Sequence, residues 1–330
     1  MVSEAPSSRL FRTVRGEEPE RLDRLVVRHL ADIPRLSRTR IQEWIDAGRV
    51  RVDGAAVTRS SLRLRPGAEV EVLFPGARPH PPPVAQNIPL SILYEDDALL
   101  AVDKPPGMVA HPTPGHADGT LVNALLFHLG KAEGGAGLVS RLDRGTSGVL
   151  LVAKAPGVHA RLTRILRGGA VEKEYLAVVY GPVPLPKGRI DRRILRDPQD
   201  PRRRTTSRSE GQTASTLWER LAETPGAEPG IALLRCRLLT GRTHQIRVHL
   251  EAEGMPIVGD PVYGAPRWKG LGDPDLADRC RAFPRQALHA WRLRFPHPWT
   301  GAALEVVAPV PSDVAGLLAA AGLSPLPEDL

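Results

Sequence analysis

The chain has 330 residues, 42% of them hydrophobic, which suits one large globular domain with a small companion or two medium ones. Its formal charge of +8 favours an anionic partner, nucleic acid first and a membrane surface second. No apolar run approaches the ~20 residues of a membrane span, and Met1 to Arg15 carries no apolar signal core. Cys236 and Cys280 are isolated thiols, which points to a reducing cytoplasm and excludes a zinc framework made from cysteines alone.

Residues 1–20 read as a polar, poorly ordered arm. From Arg21 the pattern turns helical: Leu22, Leu25, Val26 and Leu30 form one apolar stripe, with Arg21, Arg24 and Arg28 off it. A second helix is expected from Ser37 or Thr39 through Ile41, Trp44 and Ile45 to a stop at Gly48. Arg49 to Val52 then alternates, Asp53-Gly54 signals a hairpin turn, and Leu62 to Phe74 gives a further strand pair around Pro66-Gly67. This order over residues 21–74 resembles the S-four, or alpha-L, RNA-binding fold. The resemblance implies that Arg38, Arg40, Arg49 and Arg51 lie on a basic face presented to RNA; the alternative is a solvated charged face.

Residues 75–90 contain Pro-His-Pro-Pro-Pro and almost no apolar periodicity, so an extended, semi-stiff linker is expected there. A large domain, 91–330, follows. Leu99 to Val102 reads as a buried strand, Asp103 to Met108 as a turn, and Thr120 to His128 as a helix. Further on come a basic helix over Val158 to Leu166 and strands at Lys173 to Gly181, Ser215 to Leu221 and Ile231 to Leu239. Residues 187–208 are dense in arginine, including Arg202, Arg203 and Arg204. Such a block reads as a loop too charged to pack, one that docks phosphates or moves freely.

One stretch organises the large domain, Val139 to Lys154. Val149 to Ala153 is a continuous apolar run, the pattern of a strand buried on both faces. The polar half before it ends in Thr-Ser-Gly, a turn that places Asp143 on a loop held by a core strand. Arg141 and Arg144 flank it, so the carboxylate is expected to stay ionised. On local pattern alone, Arg-x-Asp-Arg is a surface salt-bridge cluster. The second rich stretch is Gly241 to Leu250. Arg242 after a glycine suits a bidentate partner for Asp143, or a phosphate contact unrelated to it. His244 and His249 lack the spacing of a zinc pair, so no metal is expected. There is no Walker loop, dinucleotide fingerprint or nucleophile elbow, and no cofactor is expected.

Taken together, the motifs resemble the RluA family of pseudouridine synthases. Arg141-Leu142-Asp143 with Thr146-Ser147-Gly148 is similar to the family signature. The other matching segments are Tyr94-Glu95-Asp96 with Lys104-Pro105 and Gly107, Lys173-x-Tyr175-x-Ala177, Gly241 to His249, Gly259-Asp260 with Tyr263-Gly264, and Arg285-Gln286 with Leu288-His289-Ala290. They span roughly residues 90–310 in family order. Ser140 stands where many members have His, and Asp103 where many have Asn.

The resemblance implies an α+β fold: a mixed, mostly antiparallel bent sheet flanked by helices and loops, beside the small alpha-L domain. It implies an isomerase that turns uridine into pseudouridine without cofactor or metal. Asp143 would be the essential nucleophile or base, Arg242 its ion-pair partner, Tyr175 the ring stacking on the flipped uracil, and Arg141 the residue filling the gap in the RNA. Arg202, Arg203 and Arg204 would contact phosphates. The segment Lys104 to Gly107, with His111-Pro112 and Gly119-Thr120, looks most like the branch acting on large-subunit ribosomal RNA, in the cytoplasm and as a monomer. Transfer RNA is the alternative substrate. A non-catalytic ribosome-assembly factor and a metal-dependent nuclease are the alternatives from other classes.

Overall fold

The computed structural model describes residues 8–13, 20–30, 33, 36–74, 82–113, 116–131, 137–169, 171–200, 202–226, 229–264 and 267–323. The chain divides into two compact units, Met1–Pro82 and Pro83–Leu330.

In the first unit the helices Leu22–His29 and Arg38–Asp46 bury the expected stripe, with Leu22, Val26, Leu30, Ile41 and Ile45 fully enclosed. Ser37 caps the second helix by accepting the Arg40 amide. They cover an antiparallel sheet whose order is Ser8–Arg12, Glu69–Leu73, Val50–Val52, Ala55–Val57. Asp53 and Gly54 turn the last hairpin with positive φ, 49° and 81°, the primed geometry that Asp-Gly favours. One expectation fails here. The arm is not unstructured throughout: Ser8–Arg12 is an edge strand, with Arg12 paired to Glu69 and Phe11 stacked on His29. Charged flanks hid a strand of only five residues. Arg38 is exposed but already engaged within the unit. It donates twice to Asp23, which is fully buried and also receives Arg21 and Gln42. Burial opposes that carboxylate's charge, but these donors outweigh it and hold Asp23 far below the usual range.

Residues 75–81 of the expected linker lie outside the described residues. Residues 83–90 belong to the second unit. Gln86 donates its amide to the Asn123 carbonyl and accepts the Gly119 amide, and the Asn123 side chain reaches the Val84 carbonyl. Asn123 thereby ties this segment to the Leu121–His128 helix, whose start it also caps together with Thr120.

The second unit is built on a ten-stranded sheet. Its path runs Lys187–Asp191, Ser215–Glu223, Ile231–Leu238, Glu172–Tyr180, Leu288–Pro296, Ser147–Ala153, Leu99–Lys104, Ser91–Glu95, with Ala303–Val307 and Gly137–Leu138 as side branches. Every pairing is antiparallel except that of Leu288–Pro296 with Ser147–Ala153. All seven residues of Ser147–Ala153 are buried, as their apolar run requires. Helices Pro156–Arg167, Gln245–Ala252, Pro274–Ala282 and Ser312–Ala320 complete the unit. The arginine-dense block is largely strand. Lys187–Asp191 edges the sheet, and Arg193–Arg196 pairs with Arg204–Ser207. Ile190 and Ile194 supply the buried face, so alternation lets the arginines stay outward while the backbone packs.

Candidate active site

The Asp143 loop is gripped from three sides. Lys104 is fully buried and its ammonium donates to the carbonyls of Pro105 (2.8 Å), Met108 (3.1 Å) and Arg144 (3.2 Å). Gly107, at φ 84°, turns so that its amide donates to the Arg144 carbonyl, and Arg144 Nε donates back to Gly107. Arg285, fixed by two bonds to Asp313, donates to the Gly145 carbonyl, and Gln286 holds the Thr146 hydroxyl. Gly148 sits against the neighbouring strand so closely that a Cβ would lie 2.1 Å from the Ala290 carbonyl oxygen. Burial and the Arg285 charge push Lys104 down to about 8 despite Asp143 and Asp103. The segments Lys104 to Gly107 and Arg285-Gln286 therefore act as clamps on one loop.

The Asp143 side chain is 26% exposed and its Oδ2 accepts from Arg247 Nη1 at 2.9 Å. Arg247 is 5% exposed and grips fully buried Asp260 through Nε (2.7 Å) and Nη2 (2.8 Å). Asp260 also accepts the Val262 and Tyr263 amides. Burial opposes the guanidinium charge, but Asp260 and Asp143 more than offset it and raise its pKa. The expected pairing of Asp143 with Arg242 is thus not the one made. Arg242 Nε donates to the Thr213 carbonyl at 3.1 Å, and Arg247, less than two turns further on, meets the carboxylate.

Local folding explains the difference. Gln245 accepts the Arg242 amide and the Thr240 hydroxyl, and donates to Ser215 and Thr216. His244 takes a left-handed conformation, φ 59°, and starts the Gln245–Ala252 helix. Arg247 then lies in the first turn of a helix whose residues 245–250 are all buried. A buried arginine requires carboxylates, and Asp143 and Asp260 both lie in quoted motifs; that signal was readable.

Asp143, Tyr175, Arg141, Arg242, His244 and Arg247 line one recess. It opens beside a cavity of about 810 Å³ that Lys173 and Arg292 also line. Tyr175 is half-buried, and burial together with the Asp143 charge raises its phenol pKa. Arg141 is exposed at the rim. Ser140 lines the cavity, and Asp103 is half-buried in its strand, where burial raises its carboxyl. Arg40, Arg49 and Arg51 are exposed on the first unit, with Arg51 3.7 Å from Glu71. Arg202 pairs with Asp200, Arg203 donates to the Val262 carbonyl, and the Arg204 amide donates to Tyr263 Oη. His249 bonds Thr216 and the Arg192 carbonyl. Among the described residues no group of three or more His, Cys, Asp or Glu could hold a metal ion.

A buried sheet that presents one arginine-bound carboxylate, an aromatic ring and several basic side chains in a cleft defines an enzyme for a polyanionic substrate. Comparison with known proteins gives the particular family. The sequence model described as RNA pseudouridylate synthase matches residues 98–252, and that of the S4 domain matches residues 20–70. The ribosomal large subunit pseudouridine synthase D of Xanthomonas campestris is 44% identical over 291 residues, covering 87% of this chain and 85% of that protein. That of Nitrosomonas europaea is 41% identical, covering 87% and 81%. The solved structure of human RNA pseudouridylate synthase domain containing 1 superposes with a TM-score of 0.54 at 26% identity, covering 74% of this chain and 99% of that one. The chain belongs to the RNA pseudouridine synthase family and is an isomerase converting uridine in RNA to pseudouridine.

Proposed function

We propose that the chain isomerises uridine in large-subunit ribosomal RNA, with Asp143 as the residue that meets C1′ of the flipped nucleotide. The observation that carries this is the Asp143–Arg247–Asp260 chain, which positions an accessible carboxylate in the recess. The relatives named for large-subunit synthases support the substrate, and the exposed Arg40, Arg49 and Arg51 of the first unit suit its phosphates. No helix among the described residues is long and apolar enough to cross a membrane. We place the enzyme in the cytoplasm as a monomer.

The uracil must leave C1′, rotate and rejoin through C5, so the uridine is extruded at a cost of a few kcal/mol. Tyr175 stacks on the extruded base, worth ~1–3 kcal/mol. Arg141 at the rim fills the vacated place. Asp143 either bonds C1′ or removes a ribose proton, and Arg247 holds its carboxylate in place for either route. Arg242 has guanidinium nitrogens beyond its one bond to Thr213 and takes a flanking phosphate.

The experiment is tritium release from large-subunit rRNA and from transfer RNA, each labelled at C5 of uridine, with the purified chain. Release from the ribosomal transcript is expected; release from transfer RNA alone would transfer the substrate assignment.

A further inference from the structure

His244 is the charged-site neighbour that none of the roles above uses. Its Nδ1 lies 2.9 Å from Tyr263 Oη, and its Nε2 lies 3.8 Å from Asp143 Oδ2. Tyr263 Oη accepts the Arg204 amide at 2.7 Å and carries a proton of its own, which we assign to His244 Nδ1. In that assignment Nε2 carries the hydrogen, on the side of the ring that faces the carboxylate. The left-handed backbone at His244, a conformation non-glycine residues rarely hold, is what turns the ring this way. Burial lowers its pKa, and Arg247 and Arg204 add to this against Asp143 and Asp260.

A separation of 3.8 Å is too long for a hydrogen bond but is spanned by one oxygen that accepts from Nε2–H and donates to Oδ2. Oδ2 has a lone pair left beside the one taken by Arg247. An internal ribonucleotide offers one group that both accepts and donates: the 2′-hydroxyl. The uracil carbonyls and the phosphate oxygens only accept, and N3–H only donates. The 2′-hydroxyl is also on the carbon next to C1′, where the carboxylate must act.

We propose that His244 reads the ribose 2′-hydroxyl of the flipped uridine, accepting it into a bridge between Nε2–H and the Asp143 carboxylate, with Tyr263 and the Arg204 amide setting the tautomer. The site would then select ribonucleotide over deoxyribonucleotide at the reacting sugar itself. The inference rests on Asp143 meeting that sugar.

The test uses the full chain and two full-length large-subunit rRNA transcripts, one with ordinary uridine and one with 2′-deoxy-2′-fluorouridine throughout, which keeps the ribose pucker but cannot donate. Filter binding gives the affinity ratio of the two. The wild type should prefer the ordinary transcript, and His244→Asn, which tolerates the left-handed backbone, should shrink that preference roughly tenfold. Tyr263→Phe should shrink it by less, since the ring then loses only its fixed tautomer. A wild-type ratio near one, or a ratio unchanged in both variants, would overturn the role of His244. Tritium release by Asp143→Asn would instead remove the site reading beneath it.

Discussion

Arg247 donates one nitrogen to Asp143 and the other two to Asp260, so a single guanidinium joins an accessible carboxylate to one that never meets water. The accessible partner is thereby fixed in direction by a buried group. Desolvation at Arg247 is met by two anions, the condition under which a buried cation is retained.

Arg247→Gln should therefore damage both fold and function. It strands Asp260 without its cation, a cost of about 3–5 kcal/mol, and should show as a lowered Tm together with lost tritium release. Arg242→Gln should leave Tm within experimental scatter and weaken RNA binding, with a smaller effect on turnover. The reverse pattern would restore Arg242 as the ion-pair partner.

Lys104 gives a prediction with a sign. Its folded pKa is about 8, below its ordinary value of 10.5, so between those values the unfolded chain binds more protons. Stability from this residue therefore rises as pH increases from 8 to 10.5. Thermal melts of the wild type relative to Lys104→Met should shift in favour of the wild type over that window. A shift the other way would mean that the ammonium is stabilised where it sits. At pH 7 the same variant leaves three loop carbonyls without their donor and should lower kcat by loosening the Asp143 loop.

Gly148→Ala should be among the most damaging single methyl additions in the chain. The residue has φ 109° and no room beside the Ala290 carbonyl, so the parallel strand pair must part. Soluble expression with an unchanged Tm would contradict this.

In the first unit, Arg38→Ala should lower stability, because Asp23 loses a donor in a fully buried position. Arg40→Ala and Arg49→Ala should leave Tm unchanged and reduce RNA affinity, with a shallower salt dependence. Equal loss of affinity with no loss of stability for all three would return Arg38 to the RNA-facing set.

The sequence made legible whatever repeated with a period or ran without interruption. The stripe from Leu22 to Leu30, the Asp53-Gly54 turn and the apolar run into Ala153 all gave elements within a few residues of those observed. The family motifs likewise led to the cleft, since Asp143, Tyr175 and Arg242 do line one recess. Three features escaped. Ser8–Arg12 was too short and too charged to show alternation, and pairs only because Glu69–Leu73 offers an open edge. The arginine-dense block hid Ile190 and Ile194, whose burial is decided by tertiary contact. The left-handed residue at 244 resets the chain direction and brings Arg247, not Arg242, to the carboxylate; only the need of a buried arginine for Asp143 and Asp260 signals this in the sequence.

The most direct measurement is tritium release by Asp143→Asn on C5-labelled large-subunit rRNA, with Tm and RNA affinity measured on the same preparation. The amide keeps the shape and removes the charge that Arg247 holds. Release at background, with Tm and affinity close to wild type, is the predicted result. Release near the wild-type rate, or its loss only together with folding, would contradict the central role given to this carboxylate.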